Sequence, residues 1–555
     1  MSENINNTPV TSEAETVGTE AIDPAPENAQ SPGEQYLYSK TDTLVAWVSA
    51  FIGYLFCRLL PVADHPLGTV LFSVVLYAIA FAMLAVCKIK PNAMSVLSAV
   101  VGVLLSVGTF ISDDVFISGV SSVFRLLAFV YFVYSATGNS LEKGLSNFLV
   151  ADFLRALFIF PFSSVVEVFP AAFAHKNNSG WKLAGKILLG IALAVVPTTV
   201  IVFLLSYDAD FSELIGNIFD FNVSKIFDHI GSAILGIPVA MYVFGLYFSG
   251  TKKTCEEALT ADGFKTAGER CKVAAKSVVL AAVVPILFIY CVFFVSQWKY
   301  YVSAFTGALP EGFSYAQYAR EGFFQLCTVA IINFCIIKLI ALFMKRDGGN
   351  ITLIQRMVSV LFAVSTLVLI STALAKMVMY INIYGLTRKR VYVSVFIIMI
   401  AIVFVLEVVR QFKPSFKSVP VSALVCVVLF LGLSLCDVNG FIMKYNVDRY
   451  LDGSLDTVDI IASYELGDSA VPELVRLAEH LDKKYGSDIT KDGEIAADAK
   501  TKVMYSCLHR YLKKATEIYI DDGLFSQSVP ALRAKRALRD IGYDEYIASK
   551  AEWRS

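Results

Sequence analysis

"SYAQYAREGFFQLCTVAIINFCIIKLIALFMK", Ser314–Lys345, passes without a break from a polar, tyrosine-rich stretch into a long apolar run. About 18 or more such residues in succession suffice to cross roughly 30 Å of hydrocarbon as a helix. The preceding "LPEG" (Leu309–Gly312) has the Pro and Gly of a turn, and Ser314 with Gln317 has the spacing of a capping box. A helix therefore begins above the membrane and enters it directly, which puts Arg320 and Glu321 about one turn above the hydrocarbon. Glu321, Gln325 and Thr328 then follow at helical spacing as a polar stripe on the outer half of the span.

The same apolar signal recurs along most of the 555 residues, of which 56% are hydrophobic and only 17% charged. Soluble domains carry roughly 25% charged residues. Barrel strands would be shorter and would alternate, so the expected fold is all-α: a polytopic transmembrane helix bundle. About eleven spans are expected near 43–62, 66–87, 93–111, 116–136, 183–206, 231–250, 277–296, 323–345, 357–381, 391–409 and 418–437. Between the fourth and fifth, Asn147–Ala174 is apolar but punctuated by Asp152, Arg155, Pro161, Glu167 and Pro170, which predicts an interfacial or re-entrant segment. Phe211–Ile230 reads the same way.

Three domains follow. Residues 1–40 form an acidic tail too poor in large apolar residues to fold, 41–440 the bundle, and 441–555 a small soluble helical domain. In the last, Pro472 opens one helix and Ser528 precedes another that closes near Gly542. Lys and Arg gather at Lys88, Lys90, Lys143, Lys176, Lys182, Lys252–Lys276, Lys345, Arg346 and Arg356. That side is expected to be cytoplasmic. The tail then lies inside the cell and the C-terminal domain outside. "GLTRKR" (Gly385–Arg390) disagrees: either a span is miscounted, or those outward cations have a job there. Most of the ten cysteines lie within apolar runs as small hydrophobes. The formal net charge of −1 leaves no basic footprint for nucleic acid.

"LPEGFSYAQYAREGFFQL", "STALAKMVMYINIYGLTRKR" and "YNVDRYLDGSLDTVDIIASY" resemble segments of a bacterial family of multi-spanning membrane proteins, domain of unknown function 4173. The likeness covers roughly the second half of the chain. That family more often carries Arg where this chain has Lys376, which preserves the positive charge. The resemblance implies a polytopic protein of the bacterial cell envelope and supplies no reaction, substrate or cofactor.

Ionisable residues within the membrane cost at least a few kcal/mol and are functional candidates by default. Arg125 lies near the middle of the fourth span. Ser365, Thr372, Lys376 and Tyr380 share one face of the ninth, where Lys376 is placed to reach Glu321. For each there is a plainer reading: Lys376 snorkels or forms a structural ion pair, Glu321 caps its span in water, and Arg125 bonds helix carbonyls or Glu167. Lys338 and Glu407, near cytoplasmic ends, need only snorkel. The preponderance of deep and outer cations favours ligand or pathway residues Arg125, Arg320, Glu321, Gln325, Lys376 and Tyr380, around an outward vestibule for an anion such as a lipid phosphate or cell-wall precursor. Trp298, Tyr300, Tyr301, Tyr315 and Tyr318 on the same rim also fit an ordinary aromatic belt.

A transporter, flippase or lipid-binding protein is therefore expected. The alternative is an envelope sensor or assembly factor whose outer domain binds a protein partner. A membrane glycosyltransferase using Asp113–Asp114 or Asp208–Asp210 is a third reading. No hydrolase, metalloprotease, P-loop or dinucleotide motif is present, and no cofactor or metal is expected.

Overall fold

The computed structural model describes residues 38–59, 66–142, 144, 146–174, 224–252, 260–298, 302–303, 323–345, 351–485, 499–518 and 528–540, with isolated residues between 187 and 208. The N-terminal tail, most of the expected span at 183–206, Arg320, Glu321 and Gly542 lie outside this set.

The helices are α1 (Lys40–Leu59), α2 (Pro66–Val86), α3 (Ala93–Ile111), α4 (Val115–Ala136), α5 (Leu149–Ser163), α6 (Val165–Phe173), α7 (Ser224–Lys252), α8 (Ala261–Arg270) and α9 (Lys276–Ser296). They continue with α10 (Phe323–Phe343), α11 (Leu353–Tyr384), α12 (Arg388–Phe412), α13 (Ser418–Leu435) and α14 (Val438–Leu451). After a short α15 (Ile460–Ser463) and a 3₁₀ segment, Tyr464–Ala470, come α16 (Val471–Tyr485), α17 (Ala499–Ile518) and α18 (Val529–Asp540). The chain is an all-α multi-pass membrane protein.

Among the described residues, nine helices are long and apolar enough to span a membrane, and α5 with α6, bent by 45°, would make a tenth. The count falls below eleven for two reasons. α1 carries Lys40, Asp42 and Arg58 at its ends, which lower its hydropathy, and residues 183–206 are mostly outside the described set. In the bent pair, the helix passes through a π turn at Arg155–Ile159 and breaks at Ser164. Asp152 is buried there, accepting from the Tyr134 hydroxyl at 2.8 Å and the Leu141 amide at 3.0 Å.

α1 and α7 run antiparallel, with Asp42 at the start of one pairing with Lys252 at the end of the other at 3.3 Å. Small residues let their backbones touch, as membrane helices without a hydrophobic driving force require. A Cβ at Gly53 would lie 2.2 Å from the Gly236 carbonyl oxygen. One core, built on Phe132, Tyr134, Phe160, Phe244 and Tyr247, unites α1–α7. A second joins α9–α12 through Ile337, Phe362 and Phe404, and is pinned by a polar chain: Tyr290 donates to Asn333 at 2.6 Å, and Asn333 to Thr366 at 2.8 Å. A third, around Leu474, Leu477 and Leu508, forms the C-terminal helical domain and already includes Val438 and Ile442 of α14.

Gly53→Val should lower stability by about 1–3 kcal/mol, the usual range for overpacking. A Cβ at Gly119 meets no atom within 4 Å, so Gly119→Val should not overpack; thermal unfolding in detergent compares the two.

Candidate functional site

Two turns at one end of the bundle, Ser112–Asp114 between α3 and α4 and Gly385–Thr387 between α11 and α12, meet the C-terminal domain. This end is the lip. Asp113 and Asp114 follow one another but bond in different directions. Asp113 accepts from the Asn439 side chain at 2.9 Å, the Ser469 hydroxyl at 2.9 Å and the Ser469 amide at 3.1 Å, all from the C-terminal domain. Gly467, at φ +60°, brings its backbone so close that a Cβ would fall 2.6 Å from the Asp113 carboxylate. Asp114 turns back to the bundle. It caps α4 through the Ile117 amide at 2.8 Å, accepts from the Tyr392 hydroxyl, and pairs with Arg388 at 3.4 Å. Arg388 also reaches Glu465 of the domain at 3.5 Å, so one guanidinium ties α4, α12 and the 3₁₀ segment.

The C-terminus of α11 supplies the other half of the joint. The last carbonyls of a helix lack intrahelical partners and carry partial negative charge. Arg449 of α14 donates to the carbonyls of Asn382 at 2.9 Å and Ile381 at 3.4 Å. Arg390 donates to that of Tyr384 at 3.0 Å and lies 3.9 Å from the Tyr380 ring centroid. Asn446 grips the next residue with both ends of its amide, donating to the Leu386 carbonyl at 2.9 Å and accepting from its amide at 2.7 Å. Gly385, at φ +74°, is required there, since a Cβ would stand 2.4 Å from the Asn446 Oδ1.

Between the lip and the domain runs a groove of about 1110 Å³, lined by residues 382–384, 386–390, 454–463, 465–466 and parts of α14 and α17. Arg388 and Arg390 are committed to the contacts above, Asp459 caps α15, and Glu465 is paired. Among the described residues this leaves Lys389 and Lys500 exposed and without ion-pair partners, beside three exposed carboxylates: Asp456, Asp459, which caps α15, and Glu465, which pairs with Arg388. Ile383, Tyr384, Ile461 and Val503 add exposed apolar surface.

The residues expected around a vestibule are distributed differently. Tyr380 is at the lip, beneath Arg390. Lys376 is half-buried one turn below it on α11, and Gln325 is exposed on α10. Their expected companions Arg320 and Glu321 lie outside the described residues. Arg125 is elsewhere: α4 packs on α2, α3, α5, α7 and α13, whereas α11 packs on α9, α10 and α12. It bonds Ser122 at 2.7 Å, while Glu167 accepts from the distant Tyr38, so the suggested contact between Arg125 and Glu167 is replaced by two separate ones. Lys338 and Glu407 do more than snorkel. They pair at 2.6 Å at the opposite end, where buried Glu407 also receives Arg410, Gln411 and Ser418.

Sequence reasoning missed Asn439, Asn446, Arg449 and Ser469. Two of them had a signal, because Asn446 and Arg449 sit in "YNVDRYLDGS", one of the segments carrying the resemblance.

A family model described as Domain of unknown function (DUF4153) matches residues 99–477. The chain belongs to this family. The number 4173 read from the sequence is thereby corrected to DUF4153, again a domain of unknown function. No curated protein and no solved structure matches the chain. The DUF4153 match starts within α3 and ends within α16, so Asp113, Asp114, Arg388, Asn439, Asn446, Arg449 and Ser469 all fall inside it.

Burial pushes the Asp113 carboxyl above the ordinary carboxylate range, although Asn439 and Ser469 donate to it. A group whose docked form holds its proton more tightly stabilises docking at low pH, and this contribution is lost as pH rises through the docked-state value. Hydrogen exchange of α16 should therefore slow as pH is lowered towards the ordinary carboxylate range, once corrected for intrinsic rates. Asp113→Asn should remove that pH dependence, and Asp113→Ala, which strands three donors, should speed exchange at every pH.

Proposed function

We propose that this DUF4153 protein binds an anionic envelope ligand, a phosphorylated lipid or cell-wall precursor, in the groove between the lip and the C-terminal domain. The observation that carries this reading is the groove itself, where Lys389 and Lys500 stand uncommitted beside exposed Ile383 and Tyr384. A lysine ammonium is a suitable point charge for phosphate. The apolar pair, at the end of a membrane helix, suits the first carbons of an acyl or prenyl chain.

The ligand would come from the outer leaflet. This orientation is supported by Lys88, Lys90, Lys252, Lys272 and Lys345, which cluster at the end opposite the lip and would be cytoplasmic. The lip arginines are not counter-evidence, since helix-end carbonyls and Asp114 account for them. α11 has 32 residues, about 48 Å at 1.5 Å per residue. It exceeds the hydrocarbon thickness and can lift Tyr380 and Tyr384 to headgroup level.

A partner-binding domain is the second reading, favoured by exposed Ile461 and Val503 on its surface. Native mass spectrometry of protein released from mixed phosphatidylglycerol and phosphatidylcholine nanodiscs distinguishes the two. The groove reading expects preferential retention of phosphatidylglycerol, or of added polyprenyl diphosphate, reduced several-fold by Lys389→Glu with Lys500→Glu. Equal retention of both lipids, unchanged in the variant and with no diphosphate bound, would favour a protein partner.

A further inference from the structure

Arg125 is ten residues from the start of α4 and eleven from its end, so it sits about 15 Å from either terminus at 1.5 Å per residue. Its Nη2 donates to Ser122, but its Nη1 is buried and bonds nothing. The Tyr77 hydroxyl of α2 is the other orphan in this layer, in a side chain only 5% exposed.

Both groups lie at one level. Tyr77 packs edge-on against Phe129 and Phe132, which share the helical face of Arg125 at the next two turns. Its hydroxyl sits against Gly102, where a Cβ would be 2.1 Å away. α3 and α4 are antiparallel, and Ser98 bonds the Ala128 carbonyl at 2.8 Å. One turn further along α3, Gly102 is therefore level with Phe124 and Arg125. The hydroxyl and guanidinium are close enough to interact electrostatically.

Two buried donor atoms, the Tyr77 hydroxyl and the Arg125 Nη1 of a permanently charged group, thus lie at one level without an acceptor. A tyrosine that only filled space would be served by phenylalanine, and an arginine at this depth with no carboxylate partner leaves its charge uncompensated. We propose that Tyr77 and Arg125 together hold a small anion, of halide size, in the middle of the bundle. This site is separate from the groove and does not depend on its ligand.

The test is thermal unfolding of the full-length protein in detergent, in sodium chloride or bromide against sodium gluconate at equal ionic strength. The wild type should unfold several degrees higher in the halides. Arg125→Gln should abolish that difference and Tyr77→Phe, which removes one oxygen, should reduce it. A bromide anomalous peak between the two side chains is expected in wild-type crystals grown in bromide. Equal transition temperatures in all three salts, a salt effect that persists unchanged in Tyr77→Phe, or the absence of the bromide peak would overturn the site. If Arg125→Gln fails to accumulate, Tyr77→Phe and the wild-type map still decide it.

Discussion

Two adjacent carboxylates facing opposite ways hold this architecture together. Asp113 is given to the C-terminal domain and Asp114 to the bundle, within a turn three residues long between α3 and α4. Adjacent acids in a half-buried turn would ordinarily repel, and their surroundings relieve this in two ways. Asp114 is neutralised by Arg388 and the N-terminus of α4. Asp113, with neutral donors only, is shifted towards its protonated form. The joint is thus built so that one charge is fixed and the other can be lost.

The same economy of charge explains the outward arginines. Arg390 and Arg449 occupy carbonyls that α11 would otherwise leave unsatisfied, and Arg388 answers two acids. A basic cluster on the side where cations are normally scarce follows from helix-end chemistry. Among the described residues that line the groove, Lys389 and Lys500 remain without an ion-pair partner. Glu407 with Lys338, Arg410 and Ser418 makes the corresponding staple at the far end, binding α10, α12 and α13.

Long apolar runs made the bundle legible, because a span needs only length and hydrophobicity. The helix starts near Ser528 and Pro472 were legible for local reasons, a capping serine in the first and a proline in the first turn of the second. The joint was not, since Asp113 meets Ser469 across more than three hundred residues, and no periodicity links a turn in a bundle to a 3₁₀ segment in a domain. Asp113–Asp114 read instead as faint catalytic acids of a loop. Arg125 stood out for its depth, but Tyr77, one tyrosine among 26, gained meaning only when its hydroxyl proved to lack a partner. Gln325 lies on α10 and Lys376 and Tyr380 on α11, whereas a common vestibule with Arg125 required a packing order that single-sequence reasoning does not supply.

The central claim is that the C-terminal domain is fixed to the lip. Electron–electron distance spectroscopy tests it most directly, with spin-labelled unnatural amino acids at exposed Val115, beside the joint, and exposed Glu479 on α16. The account predicts one narrow distance distribution in nanodiscs that broadens in Asp113→Ala. A broad wild-type distribution, unchanged by that substitution, would contradict it.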